Sequence, residues 1–339
     1  MISSNSKPRI SVIIPCYNCE KTINSTLKSL KNQTYKNFEV ICINDGSKDS
    51  TESVIEDWVE RNEINITLIS QQNHGVSYTR NYGIRIAKGE FICFLDADDE
   101  YNSHFLEYHI EAITATNADV SYCRLSRNEE IVKECNEKIV YAPQNSNVAL
   151  SKLLYEMWNF GFYCYFYKKE FVLGNNIWFD EKTKFGEDRE FIWKYTCRLE
   201  KFVYINLPLY WYRENADSAT YGKTSWRNVD AIYAIQRADE VVKTYKPEFY
   251  QQYHSYMNAR VTWAVAKAFA IDGNKTLFKR LTETFDIRRQ MKVTKKDSVR
   301  FVRIASNLYL LSPSLFYYAI YVYGFIGVFA QKLIKGKSK

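Results

Sequence analysis

The chain contains neither Gly-x-Gly-x-x-Gly nor Gly-x-x-x-x-Gly-Lys-Ser/Thr. Their absence weighs against a dinucleotide-binding fold and a P-loop nucleotidase. Cys16 and Cys19 form a Cys-x-x-Cys with no second pair, a weak sign of zinc or redox chemistry. Cys42, Cys93, Cys123, Cys164 and Cys197 sit in apolar or aromatic segments, where thiols behave as small hydrophobes. Residues 1–9 are polar and the first apolar run, Ile10–Pro15, is too short for the core of a signal peptide. Reduced thiols and a cytoplasmic active domain are the expectation. The longest gap is one of charge: no Asp, Glu, Lys or Arg occurs from Ile304 to Gln331.

What is present suits a folded protein. The 339 residues allow one large domain or two ordinary ones, and 46% apolar with 25% charged residues is a globular balance. The 27 tyrosines suit carbohydrate faces, interfaces and membrane borders as well as cores. The net charge of +7 suits nucleic acid, anionic membrane or phosphorylated ligands. It is concentrated late: residues 288–303 hold seven basic residues and one acid, directly before the uncharged stretch. That stretch exceeds the ~20 apolar residues that span a bilayer. However, Asn307, Ser312, Pro313 and Ser314 interrupt it, tyrosines fill it, and Lys332, Lys335, Lys337 and Lys339 follow. Pro313 reads as a helix start, so two interfacial helices lying on a membrane are favoured over a span. A hydrophobic helix packed inside a soluble protein is the alternative.

Over the first 125 residues, β-branched runs alternate with helical spacing. The runs are Ile10–Ile14, Glu39–Ile43, Ile66–Ser70, Phe91–Leu95 and Asp119–Cys123. Between them, Ile23, Leu27 and Leu30, then Val54, Trp58 and Val59, then Ile84 and Ala87 mark helices. The pattern predicts an α/β fold: a single open, mostly parallel sheet with helices on both faces. A C-terminal helical region follows from about residue 226. Phe160–Tyr167 and Phe202–Asn206 read as further strands, and residues 184–200 as a loop entering a helix with Phe191, Ile192, Tyr195 and Leu199 buried. In such sheets ligands bind beyond the strands' C-terminal ends. There lie Pro15-Cys16-Tyr17-Asn18, Asn44-Asp45-Gly46-Ser47 and Asp96-Ala97-Asp98-Asp99, three polar clusters that parallel strands bring to one edge.

From Arg9 to Thr220, about two thirds of the chain, the sequence resembles the inverting family 2 glycosyltransferases of GT-A fold, of the kind that builds bacterial surface polysaccharides and lipid-linked oligosaccharides. The resemblance is carried by "SVIIPCYN", "VICINDGSKDST", "NHGVSYTRNYGIRIAKGEFICFLDADD", "GED" and "YWYR", in that order. It implies that Pro15 and Tyr17 line a nucleoside pocket and that Asp45 accepts a hydrogen bond from the base, expected to be uracil. Asn44 stands where the family often has another acid. Asp96-Ala97-Asp98 corresponds to the family's Asp-x-Asp: Asp98 would ligate Mn²⁺ or Mg²⁺, with Asp96 on ribose or metal. Such hard cations take few protein oxygens and leave room for substrate phosphates. Arg80 and Arg213 would approach the diphosphate. Asp188 corresponds to the catalytic base, at a helix start where the dipole favours an anion, and Glu187 would orient the acceptor or structure the loop. Asp99 has no ligand role and would cap or brace the next helix.

The resemblance thus implies a metal-dependent enzyme that moves a single sugar from a UDP-sugar to a glycan hydroxyl on a lipid-linked or surface-polysaccharide precursor. It would work at the cytoplasmic face of the membrane. The family's polymerase motif Gln-x-x-Arg-Trp is absent. Three segments are expected: 1–225 catalytic, 226–296 a helical extension, and 297–339 membrane-associating helices. A nucleotidyltransferase that makes nucleotide sugars is the enzymatic alternative, but it would need a Gly-rich basic loop where Pro-Cys-Tyr-Asn stands. A glycan-binding protein without turnover is the other alternative. The basic residues flank an uncharged aromatic stretch rather than a groove-reading motif, which argues against nucleic acid.

Overall fold

The computed structural model describes residues 9–135, 137–156, 160–214 and 223–336, with side chains in the last helix as far as residue 326. Lys337, Lys339 and the end of the motif stretch, residues 215–220, lie outside the described residues. The chain divides into two compact units, Met1–Lys182 with Glu187–Ser218, and Thr183–Gly186 with Ala219–Lys339.

The first unit runs β1 (Ile10–Cys16), α1 (Ile23–Lys31), β2 (Phe38–Asp45), α2 (Thr51–Arg61), β3 (Ile66–Gln71), α3 (Val76–Ile86), β4 (Phe91–Phe94), β5 (Glu100–Tyr101) and α4 (Phe105–Thr116). It continues with β6 (Val120–Ser126), α5 (Glu129–Lys133), β7 (Tyr141–Asn145), α6 (Ser146–Tyr155), β8 (Tyr165–Lys168), α7 (Lys169–Gly174), α8 (Glu187–Thr196) and β9 (Lys201–Trp211). Among the described residues these strands form one nine-stranded sheet, ordered β3-β2-β1-β4-β8-β6-β9-β5, with β7 paired on β9. β3, β2, β1 and β4 are parallel. β8 enters antiparallel between β4 and β6, and β9 returns parallel to β6.

The parallel half follows from its sequence. Val12, Ile13 and Ile14 are fully buried, because helices cover both faces of such strands. Right-handed crossovers put α1 and α2 on one face and α3 on the other. Accordingly α1 touches α2, while α3 lies across β1 and β2. α1 buries Ile23, Leu27 and Leu30 as the spacing predicts. In α2 the buried stripe is Thr51, Ile55 and Trp58, and Val59 is 40% exposed. Trp58 is thus buried as expected, and Thr51 and Ile55, at i−7 and i−3 from it, complete the stripe in place of Val59.

The second half departs further from expectation. Phe160–Tyr167 is not one strand: Phe162–Cys164 makes a 3₁₀ turn before β8 begins. The strand expected at Phe202–Asn206 runs on to Trp211, passing Pro208 at an irregularity in the pairing with β6. Proline is tolerated where a ladder is already broken. The extra length carries Tyr210 and Trp211 alongside β5.

Most aromatic residues of this unit are core. Phe94 meets Phe162, Phe179 and Phe191 at centroid distances of 5.4, 5.4 and 5.8 Å, and Phe179 stacks on Phe191 at 4.0 Å. Buried tyrosines find partners for their hydroxyls, as they must: Tyr101 donates to the Phe94 carbonyl (2.8 Å) and Tyr167 to the Phe162 carbonyl (2.5 Å).

The second unit is helical: α9 (Asp230–Tyr245), α10 (Pro247–Ile271), α11 (Lys275–Thr284), α12 (Ile287–Thr294), α13 (Arg300–Leu311) and α14 (Pro313–Gly336). Pro313 opens α14 as its position predicts. Contacts of Tyr309 with Phe316 and of Phe301 with Tyr323 fold α13 and α14 back on each other. Among the described residues no helix is long and apolar enough to cross a membrane.

Removing the hub of the aromatic core leaves a large void. Phe94→Ala is expected to cost about 3–5 kcal/mol of unfolding free energy in urea titration followed by circular dichroism. A loss below about 1 kcal/mol would mean that Phe94 is not the hub.

Candidate active site

The strand order reverses beside β1, whose neighbours β2 and β4 precede and follow the reversal. Ligands of open α/β sheets bind at such a switch point, beyond the strand ends. The loops there are laced together. Asn18, in a left-handed conformation at φ 49°, donates its amide to the Ser47 hydroxyl (3.0 Å), and its side-chain oxygen accepts the Lys48 amide (2.8 Å). The Cys19 amide donates to Thr51 Oγ1 (2.8 Å). Gly46 has φ +73°, and a Cβ there would come within 2.9 Å of the Asn73 nitrogen. Tyr17 projects from this scaffold, 51% exposed, and Pro15 is half-buried. The eight cysteines are free, and Cys16 is fully buried.

Asp45, at the end of β2, is 4% exposed. Its Oδ1 accepts from Gln71 Nε2 and the His74 amide (both 2.8 Å), and its Oδ2 from the Gly75 amide (2.8 Å). Asp45 therefore fixes the loop that leads into α3. Three bonds leave one of a carboxylate's four or so acceptor sites open. Asn44 is also committed: it donates to Glu52 (3.1 Å) and accepts the Ser47 amide (3.1 Å). The residue where the family often has an acid thus serves the turn.

The carboxylates after β4 separate by burial. Asp96 and Asp98 are half-exposed, whereas Ala97 is 8% and Asp99 1% exposed. Asp99 does not serve the next helix. It accepts from the Tyr210 hydroxyl (2.6 Å) and the Arg213 amide (2.8 Å), and so fastens the end of β4 to the end of β9. Burial first, then the charges of Asp96 and Asp98, push the Asp99 carboxyl well above the usual carboxylate range. Burial and neighbouring negative charge both disfavour a further buried charge, which is the physical cause of that upward shift.

Two sequence-predicted residues from distant segments, Asp96 and Glu187, meet at Arg80. Its side chain, on α3, is 6% exposed. Nη2 contacts Asp96 Oδ1 at 3.0 Å and Nη1 contacts Glu187 Oε1 at 3.2 Å. The guanidinium lies over Phe162 (4.4 Å) and Phe179 (5.3 Å). Burial opposes its charge, but Asp96 and Glu187 outweigh that and raise its pKa. Glu187 and Asp188 open α8. Asp188 is half-buried, and its Oδ1 accepts the Arg189 amide at 2.7 Å. Burial, then Asp188, push Glu187 up to about 7, against the pull of Arg80. Arg80 thus joins the Asp-x-Asp loop to the Glu187–Asp188 pair. Arg213 belongs to another network: it pairs with Glu100 and lies over Trp211 at 4.6 Å.

Sequence reasoning missed Phe162, Phe179 and Tyr210, which wall Arg80 or hold Asp99. They lie 82 or more positions from the residues they serve, and an aromatic residue at such a distance carries no local signal. Among the described residues no group of three or more His, Cys, Asp and Glu is arranged as a metal site. The half-exposed Asp96 and Asp98 still offer the hard oxygen donors that Mg²⁺ or Mn²⁺ takes alongside water and phosphate.

This is the GT-A fold of sugar-transferring enzymes. It resembles S. aureus TarS 1–349 in complex with UDP-GlcNAc, with a TM-score of 0.61 at 19% identity over 92% of this chain and 89% of that one. It also resembles the mannosyltransferase PcManGT of Pyrobaculum calidifontis in complex with GDP-Man and Mn²⁺, with a TM-score of 0.57 at 17% identity over 91% and 88%. At these identities the likeness is one of fold. Residues 11–196 match the family model described as glycosyl transferase family 2, and the chain belongs to that family. It is a glycosyltransferase. The uncharacterized glycosyltransferase EpsJ of Bacillus subtilis is 30% identical over 229 residues, 63% of each chain. The minor teichoic acid biosynthesis protein GgaB of the same organism is 27% identical over 252 residues, 70% of this chain and 27% of its own. The chain thus spans less than two thirds of the length of these two relatives.

Glu187 generates a pH dependence of stability. Its carboxyl sits near 7 when folded against an ordinary 4.5, so the folded state binds that proton more tightly. Stability is then lost as pH rises from 4.5 toward 7. The melting temperature of wild type should fall relative to Glu187→Gln across that window. Parallel curves for the two proteins would contradict the assignment.

Proposed function

We propose that the chain transfers one sugar per encounter from a UDP-sugar to a hydroxyl of a glycan acceptor, with inversion and with the help of a divalent cation. The observation that carries this reading is the single cluster in which Arg80 holds Asp96 against Glu187, beside Asp188. A donor-side carboxylate and an acceptor-side base are what direct displacement at a sugar carbon requires.

Pro15 and Tyr17 flank the nucleoside, and Asp45 offers its remaining acceptor site to a base N–H. The UDP-GlcNAc bound to TarS supports a uridine donor. Asp98, with Asp96, holds Mn²⁺ or Mg²⁺, and the Mn²⁺ complex of PcManGT supports such a cation. When bound, the cation supplies Lewis-acid stabilisation to the departing diphosphate. Arg80 and Arg213 approach the diphosphate while each stays held by its carboxylate partners. Asp188 accepts the proton of the attacking hydroxyl, and Glu187 orients that hydroxyl. The acceptor belongs to a surface-polymer or lipid-linked precursor, a class supported by the teichoic acid role in the name of GgaB.

Two measurements test the roles separately. UDP binding by calorimetry should weaken at least about tenfold on chelation of divalent cations and again in Asp98→Asn, because the cation and its ligand act together. Undiminished binding in the chelator would remove Asp98 from its role. Asp188→Asn should bind UDP with unchanged affinity and lose roughly 10²–10⁴-fold in transfer rate. Near-normal turnover in that variant would exclude Asp188 as the base.

A further inference from the structure

The helical unit carries a surface that the catalytic reading does not use. Arg288, Arg289, Lys292, Lys295, Lys296, Arg300 and Arg303, the seven cations of residues 288–303, are all exposed. The one acid among them, Asp297, is 4% exposed and turned inward. It pairs with Arg260 (3.4 Å), and accepts from the Tyr256 hydroxyl (3.1 Å) and the Val299 amide (2.8 Å). The segment therefore shows solvent positive charge with no acid of its own to offset it.

An apolar face continues from these cations. On α13, Arg300, Arg303, Ile304, Asn307 and Leu311 are exposed at helical spacing, so one face begins in arginine and ends in leucine. Leu311 is 76% exposed. α14 returns alongside, burying Phe316, Tyr317 and Ile320 and exposing Leu315, Tyr318, Val322 and Phe325. Those four recur at three- and four-residue steps along one side of the helix. Lys275 meets the Tyr318 hydroxyl at 3.2 Å. Both sides of α14 are thus apolar, and only one is covered.

We propose that this face docks on an anionic lipid bilayer, with α13 and α14 lying in the headgroup boundary. Charge complementarity selects the occupant. A second copy laid face to face would set seven cations against seven, because a two-fold contact is self-complementary. A bilayer with anionic lipids offers negative headgroups to the arginines and lysines, an acyl boundary to Leu311, Leu315 and Phe325, and an interfacial zone to the tyrosines. No described helix is long and apolar enough to cross the membrane, and the division of α13 and α14 into a covered and an exposed side fits a contact made from one side. The inference rests on the helical unit alone and is independent of the active-site roles.

The test is co-sedimentation of the full chain with vesicles. It should pellet with equimolar phosphatidylcholine and phosphatidylglycerol, stay in solution with phosphatidylcholine alone, and be released by added salt. Arg300→Glu with Arg303→Glu should lower the partition constant at least about tenfold. Leu315→Ser with Phe325→Ser should lower it comparably, since both side chains leave the acyl boundary. All four side chains are exposed, so far-ultraviolet dichroism and UDP binding should not change. Absence of binding to anionic vesicles at low salt would overturn the proposal. So would binding that both double variants retain, or a dimer in light scattering that the same variants dissociate.

Discussion

A buried guanidinium is the constraint on which the site depends. Arg80 is almost removed from water, and an uncompensated charge there would cost several kcal/mol. Compensation comes from two carboxylates on separate segments, Asp96 after β4 and Glu187 at the start of α8, with Phe162 and Phe179 as the walls. None of these can move far without exposing or orphaning the charge. The arginine converts a helix, a strand end and a helix start into one rigid body. Asp99 performs a related task nearby: it holds the end of β9 through Tyr210 and the Arg213 amide.

The sheet topology makes this convergence possible. Parallel strands point their C-terminal ends to one edge, and the reversal of order beside β1 opens a crevice there. The loops after β1 and β2 are braced against each other through Asn18 and Ser47. Tyr17 can therefore stand half exposed on a fixed support. The electrostatics divide the carboxylates by task. Asp96 and Asp98 keep contact with solvent, Asp99 is buried with its carboxyl pushed well above the usual range, and Glu187 titrates near neutrality beside Asp188. Membership of glycosyl transferase family 2 gives these positions a chemical context, since a sugar donor and its acceptor must be brought together at one site.

Local patterns made the parallel half of the fold legible. β-branched runs and helical spacing marked β1 to β4 and the helices between them, and Pro313 marked the start of α14. The same patterns located the polar clusters at the strand ends. They failed where a partner rather than the residue itself decides. Phe160–Tyr167 has strand composition throughout, yet Phe162–Cys164 turns so that Phe162 can lie under Arg80. Asp99 looked like a helix brace because its neighbours in sequence are a turn, whereas its partners lie 111 and 114 positions away. The partner of Arg213, Glu100, likewise lies 113 positions away and left no local signal. The charge of residues 288–303 was countable from the sequence, but the inward turn of Asp297 was not.

Arg80 holds the carboxylates of Asp96 and Glu187 as one unit. A double-mutant cycle of Arg80→Met and Glu187→Gln, read as unfolding free energy, tests this without knowledge of the donor. The two changes should couple by at least about 1 kcal/mol, because each removes the partner of the other's charge. Additivity to within about 0.3–0.5 kcal/mol would contradict it.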